Sequence, residues 1–196
     1  MTNAAKVILA SASPRRLELL RQIGIEPASV FAPDIDETPL ADEPPRVYAA
    51  RMAAAKLRPA DGFTDGFTIA ADTVVAAGRR ILPKAETVEQ AQTCLKLLSG
   101  RRHRVFTGLA IRAPDGRIAA RVVASVVGFA RLDAAQIESY LASGEWHGKA
   151  GGYAIQGQAA AFIDFLSGSY SAVVGLPLYE TASLLRGLGY QAPRAP

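Results

Sequence analysis

The spacing of apolar residues along the chain predicts strands and helices in alternation. Residues 7–9 form an apolar run that is typical of a first β-strand. After this run, apolar side chains recur every three or four residues, as on the buried face of a helix, at Leu17, Leu20 and Ile23. Ser13 and Pro14 are typical of the start of a helix, and Gly24 is typical of its end. We therefore expect a strand that leads directly into a helix.

The same criteria predict the elements of the next stretch, up to Gly100. They are a short strand over 28–33, a helix from near Pro45 to a stop before Pro59, an apolar strand over 67–78, and a helix that begins at the capping pair Thr87 and Gln90.

The second half of the chain begins with a predicted β-hairpin. Two β-rich runs, one over 102–113 and one reaching Ala130, flank a Pro-Asp-Gly turn at 114–116. The elements predicted after it are a helix from the capping pair Asp133 and Gln136 to a stop before Gly144, a strand or loop over 168–177, a last helix through Leu184, and a frayed tail over 191–196.

Composition places the chain among soluble globular proteins. Of its 196 residues, 49% are hydrophobic and 20% are charged, which suits one domain, elongated into two lobes. No stretch is long and apolar enough to span a bilayer, and the N-terminal residues enter a strand without the pattern of a signal peptide. We expect a cytoplasmic protein without a membrane partner.

The scarcity of cysteine and histidine limits the metals that the chain could bind. Cys94 is the only cysteine, so neither an internal disulfide nor a thiolate zinc site can form, and its helical surroundings predict a buried structural thiol. His103 and His147 lack ligand spacing and are interpreted as structural or surface residues. A bound metal would be held mainly by oxygen, which favours Mg²⁺ or Mn²⁺.

The start of the first helix has the composition of an anion site. Ser11 and Ser13 supply hydroxyls, Arg15 and Arg16 supply guanidinium groups, and free backbone N–H groups point in the same direction as the positive end of the helix dipole. Two arginines in a first turn oppose that dipole, so a negative ligand such as a phosphate chain would offset them. The structural alternative is that Ser13 caps the helix and both arginines pair with surface carboxylates.

Asp72 is the second feature with a chemical implication. It lies in the middle of the apolar strand over 67–78, where a carboxylate is costly to bury unless it is paired, hydrogen-bonded or metal-bound. The alternative is that Asp72 caps a neighbouring turn. Glu37 in an acidic loop, with Lys56 and Lys84, could complete a site that neutralises a triphosphate, orients a water and holds a divalent cation. Each lysine alone is typical of a surface charge.

Glycines surround the third candidate region, GKAGGYAIQG over 148–157. They permit close backbone approach or positive φ, and Gln156 can both donate to and accept from the edge of a nucleobase such as a pyrimidine imide. The alternative is a β-turn with Gln156 on the surface. The basic residues form no long run and no aromatic-rich pattern accompanies them, so a small phosphorylated ligand is favoured over a stable nucleic-acid partner.

Several of these segments together resemble a known family. LASASPRR, DIDE, ADTVV, ILPKAET, LSGRRHRVFTG, GKAGGYAIQG and GSYSAVVGLPLYET occur in collinear order, and over about 6–188 the chain resembles the Maf family of nucleoside triphosphate pyrophosphatases. The resemblance implies an α/β fold of the Maf/ITPase type, in which helices flank a mixed twisted sheet and two lobes enclose a cleft. It also implies a single domain over 1–196 and a homodimer.

The resemblance further implies an activity and its residues. The reaction is metal-dependent hydrolysis between the α and β phosphates, with Asp72 at the proton-acceptor position, Glu37 and Asp72 at the metal, and Lys56 and Lys84 at positions that handle metal or phosphate. Family members that act on dTTP and UTP carry the residues found here as Arg15, Thr73 and Gln156. The 7-methyl-GTP branch carries SPWR, SDQ and a glutamate instead, and this chain has none of these.

Two alternative functions stay open. A related pyrophosphatase would prefer modified or noncanonical nucleotides, including purines, and a substrate panel would separate it from a dTTP/UTP enzyme. A nucleotide-binding regulator of cell division or septum formation would bind its ligand without turnover.

Overall fold

A computed structural model, which describes residues 5–60 and 65–191, has one large mixed sheet at its centre. Its strands are β1 (Lys6–Ala10), β2 (Ser29–Phe31), β3 (Gly66–Ala77), β4 (Arg80–Leu82), β6 (Arg102–Arg112), β7 (Ile118–Phe129) and β9 (Ile163–Ser167), and β5 (Lys84–Ala85) and β8 (Lys149–Ala150) form a separate two-stranded ribbon. The order across the large sheet is β2-β1-β3-β6-β7-β9, and β4 pairs with β3. The two pairings of β1 are parallel, and the others are antiparallel.

Helices cover both faces of this sheet. They are α1 (Pro14–Gln22), α2 (Pro45–Ala55), α3 (Val88–Leu98), α4 (Ala134–Ala142), α5 (Tyr170–Val174) and α6 (Leu178–Gly187), with short 3₁₀ turns at Arg58–Ala60 and Gln158–Phe162. The predicted α/β fold, a mixed sheet flanked by helices, is confirmed. In the part of the chain described above, no helix is long and apolar enough to cross a membrane.

Strand β3 lies in the middle of the core and is buried along almost its whole length. Because side chains alternate across a strand, Val74 and Ala76 pack with Tyr48 and Met52 of α2 on one face. On the other face, Ile69 belongs to an apolar cluster with residues of α1 and α6, whereas Val75 belongs to a second cluster with residues of α3 and α4. These two clusters form the bases of two lobes on the same side of the sheet.

Gly108 of β6 determines how closely α2 approaches the sheet. A Cβ atom at this position would lie 2.0 Å from the carbonyl oxygen of Ala49 in α2, so any side chain would push the helix outward. The glycine therefore allows the last turn of α2 to reach the middle of β3.

One edge of β3 is shared by two short strands that leave a gap between them. Strand β1 pairs with residues 66–70 of β3, and β4 pairs with residues 75–77, while β6 occupies the opposite edge. Within residues 5–60 and 65–191, no strand pairs with residues 71–74 on the divided edge. Helices α1 and α2 lie on opposite faces and lead to strands on opposite sides of β1. The carboxyl end of β1 is therefore a topological switch point, where α/β proteins form ligand crevices.

Most sequence-based boundaries agree with these elements. The strand and helix around Pro14, the helix from Pro45, the apolar strand over 67–78 and the hairpin around 114–116 are all present. The capping box of Asp133 and Gln136 has both of its hydrogen bonds. Residues 192–196 of the predicted frayed tail lie outside the described residues.

Three local predictions were wrong. Residues 168–177 were expected to be a strand or loop, but they contain α5, whose first turn is capped by the Ser169 side chain. The preceding strand β9 was missed, because its pattern is short and only partly buried. The Thr87 side chain accepts from the backbone N–H of Gln90 as expected. The Gln90 side chain, however, accepts from the backbone N–H of Glu86 and not from that of Thr87, so the capping box is not closed.

His103 is a buried histidine of β6, as expected of a structural residue. Its Nε2 lies 2.8 Å from the hydroxyl of Tyr153, and its ring contacts Phe129 and Tyr153 edge to face. Burial lowers the pKa of His103 from 6.5 to about 4. The folded protein therefore keeps this ring neutral at pH values where the unfolded chain protonates it.

The pKa of His103 predicts a loss of stability in mild acid. Between pH 6.5 and 4 the unfolded state binds one more proton at this ring, so the free energy of unfolding should fall as the pH falls, by about 3 kcal/mol from this group. Urea unfolding of His103→Phe should show a smaller decrease across this window than the wild type. His147→Gln, at an exposed histidine, is the control and should follow the wild type. Equal pH profiles for wild type and His103→Phe would contradict the assignment.

Candidate active site

A pocket lies at the gap in the edge of β3, between the two lobes. Its lining includes every residue that the sequence analysis selected: Ser11, Ser13, Arg15, Arg16, Glu37, Lys56, Asp72, Thr73, Lys84 and Gln156. The pocket has five cationic and two acidic side chains, because Lys149 also lines it, and its formal charge is +3. Residues distant in sequence thus converge on one electropositive cavity.

A buried ammonium group organises the acidic side of the pocket. Lys56 Nζ lies 2.6 Å from Asp72 Oδ1 and 2.8 Å from Glu37 Oε1. Lys56 is 6% exposed and Asp72 is 3% exposed, so neither charge would be stable here without the other. Asp72 points to the α2 face of β3, and Lys56 follows the last turn of α2, where a cation is also favoured by the helix dipole.

Glu37 connects this buried pair to the rim of the pocket. Its second oxygen forms an ion pair with Lys84, which lies on the exposed side. Partial burial raises the pKa of Glu37, but hydrogen bonds from Lys56 and Lys84 outweigh it and bring the pKa from 4.5 to about 2. The Tyr48 hydroxyl donates to the Glu37 backbone carbonyl at 2.6 Å and holds the loop against α2. Glu37 is therefore an ionised carboxylate in a fixed position.

Arg16 joins three segments beneath the pocket. Its Nε donates to the Gly175 carbonyl and its Nη1 to Ser11 Oγ, both at 2.8 Å, and its Nη2 lies 3.5 Å from Thr73 Oγ1. Burial lowers the pKa of Arg16, and the charge of Asp72 opposes this effect. Most of its donors are thus engaged within the protein, so Arg16 positions the site as much as it presents charge.

These hydrogen bonds determine the direction in which Ser11 can donate. Ser11 Oγ accepts from Arg16 and, at 3.2 Å, from the backbone N–H of Ser13. Since both contacts use its lone pairs, the Ser11 hydroxyl hydrogen is available to donate to a ligand oxygen.

The hydroxyl of Thr73 has the opposite orientation. Thr107 Oγ1 donates to the Ala172 carbonyl at 2.7 Å, and this contact uses its only hydrogen. Thr73 Oγ1 lies 3.2 Å from Thr107 Oγ1, so Thr73 must be the donor in that contact. Thr73 therefore presents an acceptor oxygen to the pocket. Sequence reasoning missed Thr107, because a buried strand threonine has no local signal that separates it from core packing.

The N-terminus of α1 forms one wall of the pocket. Ser13 occupies the N-cap position, but its side chain makes no capping hydrogen bond, contrary to the structural alternative in which Ser13 caps the helix. In the described part of the chain, Arg15 forms no ion pair with a carboxylate, and burial lowers its pKa. Pro14 has no N–H, and the N–H groups of Arg16 and Leu17 already donate to the Ser13 carbonyl. The first turn thus offers the backbone N–H and the guanidinium of Arg15 to an anion.

The glycine-rich segment forms the opposite wall. In the ribbon, Lys84 pairs with Ala150 and Ala85 with Lys149. Gly151 has φ +68°, and a Cβ atom there would lie 2.8 Å from Val75 Cγ1, so only glycine lets this turn pack on β3. Gln156 is exposed at the rim, where it lines the pocket with Lys149.

Lys149 is a pocket residue that the sequence analysis did not select. The sequence signal that could have identified it is the run Gly148-Lys149-Ala150-Gly151-Gly152. Glycines on both sides of one lysine indicate a constrained turn that fixes the position of its side chain.

The carboxylates suit a hard divalent cation that a substrate helps to bind. Within residues 5–60 and 65–191, no group of three or more histidine, cysteine, aspartate or glutamate side chains could hold a metal. Glu37 and Asp72 therefore supply at most two protein ligands, both oxygen, and Asp72 Oδ2 has no hydrogen-bond partner among those residues. Mg²⁺ commonly binds through one or two carboxylates plus substrate phosphates and water, so the donor set fits such an ion.

Comparison with known proteins agrees with this architecture. A dTTP/UTP pyrophosphatase of Caulobacter vibrioides is 59% identical over 97% of this chain and 100% of its own length. A dTTP/UTP pyrophosphatase of Rhodospirillum rubrum is 56% identical over 98% of this chain and 92% of its own. The solved structure of a HAM1 protein from Coxiella burnetii shares the fold, with a TM-score of 0.51 at 16% identity, over 93% of this chain and 99% of that one. The family model for Maf-like protein matches residues 6–188, and the chain belongs to this family.

Proposed function

We propose that the protein hydrolyses dTTP and UTP to the nucleoside monophosphate and pyrophosphate. The observation that carries this proposal is the ion-paired group of buried Asp72 and Lys56 with partly buried Glu37, in a pocket whose other walls are cationic. Such a pocket can bind a polyphosphate and present a proton acceptor beside it. The names of the relatives at 59% and 56% identity support the same substrates.

The phosphate chain would bind along the N-terminus of α1. Arg15, with its guanidinium and backbone N–H, and Ser11, with its hydroxyl hydrogen, line the pocket and would act as donors. Ser13 lies at the same turn, and Arg16 holds Ser11 in place through its 2.8 Å hydrogen bond. Lys84, on the rim, would stabilise the charge that develops on the pyrophosphate leaving group.

Asp72 would act as the general base. Its Oδ1 is fixed by Lys56, which leaves Oδ2 to take a proton from water as the oxygen of that water bonds to the α-phosphorus. The bond between that phosphorus and the bridging oxygen then breaks, and pyrophosphate leaves. Lys56 keeps Asp72 and Glu37 in their relative positions.

Glu37 and Asp72 would hold the divalent cation, which we propose to be Mg²⁺ or Mn²⁺. A bound cation of this kind neutralises phosphate charge and aligns the reacting groups. The shared Lys56 ammonium satisfies both carboxylates in the absence of metal, so folding does not require the ion.

Thr73 and Gln156 would select the substrate, as the resemblance to dTTP/UTP members implies. Thr73 presents an acceptor, and the exposed amide of Gln156 can both donate and accept. Together these groups complement a ligand that carries both donors and acceptors, such as the pyrimidine imide of thymine and uracil. The homodimer and the cytoplasmic location stay predictions.

The first test replaces the proposed base. Asp72→Asn should lower kcat for dTTP by about 10²- to 10⁴-fold, because the amide cannot take up a proton. Asp164→Asn, at an exposed aspartate, is the matched control. Product analysis with wild type should detect pyrophosphate and dTMP.

Two results would contradict this proposal. Release of orthophosphate by the wild type would show that a different bond is cleaved, and full activity in Asp72→Asn would remove this residue from the catalytic role. Nucleotide binding without turnover, together with rescue of a division defect by Asp72→Asn, would favour the regulatory alternative.

A second test concerns the cation. EDTA should abolish hydrolysis of dTTP, and excess Mg²⁺ or Mn²⁺ should restore it, because two carboxylates and the substrate together complete the ligand set. The thermal unfolding midpoint should not change with EDTA, since Lys56 satisfies both carboxylates. Turnover that persists in EDTA would exclude the proposed role of the metal.

A third test concerns the orientation of Thr73. Thr107→Val removes the acceptor of the Thr73 hydroxyl hydrogen, so that Thr73 can rotate and donate; KM for dTTP should rise about 3- to 10-fold, as expected for one hydrogen bond. Thr107→Ser retains the hydroxyl and should keep the wild-type KM. The role of Thr107 would be refuted by a Val variant with unchanged KM, or by a Ser variant as impaired as Val.

A further inference from the structure

Lys149 lies on a rigid part of the wall opposite α1. It belongs to the β5–β8 ribbon, in which the Gly148 amide donates to the Ala85 carbonyl at 2.8 Å and the Gly151 amide donates to the Pro83 carbonyl at 2.9 Å. Gly148 before it and Gly151 soon after it both have positive φ, which few other residues would adopt. The ribbon thus places the Lys149 side chain in the lining of the pocket that also holds Lys84.

The cations of the pocket differ in how far the protein already neutralises them. Lys56 and Lys84 are paired with carboxylates. Arg16 is buried and bonded to the carbonyl of Gly175 and to Ser11. Two cations differ from these.

Across residues 5–60 and 65–191, neither Arg15 nor Lys149 forms an ion pair with a carboxylate, and the one hydrogen bond of the Lys149 ammonium is to the His147 carbonyl, at 2.9 Å. Glu18 and Glu145 act on them only at longer range. Arg15 and Lys149 are therefore the pocket cations best able to pair directly with an anionic ligand.

Arg15 and Lys149 also act on each other. Burial lowers the pKa of Lys149, and the charge of Arg15 lowers it further, while the charge of Glu145 opposes both effects. Two like charges on opposing walls repel, and an anion placed between them would convert this repulsion into two attractions. The pocket carboxylates Glu37 and Asp72 do not do this, because their ion pairs are with Lys56 and Lys84.

We propose that Lys149 is a substrate-binding residue that binds the polyphosphate chain from the side opposite α1, while Arg15 binds it from the α1 side. The substrate then bridges the two lobes, with its phosphates between the helix N-terminus and the β5–β8 ribbon. This assignment rests on the proposed function, since it takes a nucleoside triphosphate as the ligand. It gives the glycine-rich segment a role in phosphate binding in addition to the proposed role of Gln156 in recognition of the nucleobase.

The test compares Lys149→Gln with Lys149→Arg. Loss of a charged hydrogen bond to phosphate should raise KM for dTTP about 10- to 100-fold in Lys149→Gln, with kcat changed much less, because Lys149 does not touch the proposed base. Lys149→Arg should stay close to wild type. Lys96→Gln, at an exposed lysine of α3, is the control for loss of one positive charge. Lys149→Met, which keeps the apolar stem, is a second variant and should show the same loss as Lys149→Gln.

Calorimetric binding of inorganic tripolyphosphate separates this inference from the proposed function. The affinity of the full-length protein should fall about 10- to 100-fold in Lys149→Gln and Lys149→Met, whether or not the protein hydrolyses dTTP. If the wild type hydrolyses no nucleotide, the proposed function fails while this measurement still decides the role of Lys149. Unchanged tripolyphosphate affinity and unchanged KM in a folded Lys149→Gln or Lys149→Met variant would overturn the inference, as would an equal loss in Lys96→Gln.

Discussion

The ion pairs of Lys56 with Asp72 and Glu37 are the contacts on which the rest of the site depends. One buried ammonium joins the end of α2, the middle of β3 and the acidic loop before α2. Removal of one partner from such a group leaves an uncompensated charge, at a cost of about 3–5 kcal/mol. A protein selected for stability alone could replace the pair with apolar side chains, so its presence indicates that the carboxylates serve another purpose.

The backbone provides the space for this group. Strands β1 and β4 share one edge of β3 and leave residues 71–74 accessible, so Asp72 is held in a central strand and still faces a cavity. Gly108 lets α2 lie close enough for Lys56 to reach Asp72. The same strand therefore provides both rigidity and access, a combination that a loop would not give.

Neighbouring residues of β3 perform different tasks because a strand directs them to opposite faces. Asp72 faces α2 and bonds to Lys56, whereas Thr73 faces Arg16 and Thr107. The hydroxyl groups of Ser11 and Thr73 also play opposite parts toward a ligand, since Ser11 can donate its hydrogen while Thr73 can only accept. The positive charge is divided in the same way, with Arg15 on one wall and Lys149 on the other.

The sequence alone determined the local elements and the chemical groups of the site. Periodicity and capping residues indicated most helices and strands, and the costly position of Asp72 in an apolar run, with the arginines at a helix start, indicated an anion site. Motifs at several separate places also indicated the family. Tertiary structure alone decided which groups are engaged and which are free, because hydrogen bonds such as Arg16 to Gly175 and Thr107 to Ala172 join residues more than 60 positions apart. It also decided that Lys149 lines the same pocket as Arg15, since strand pairing and chain crossing leave no local trace in the pattern of residues.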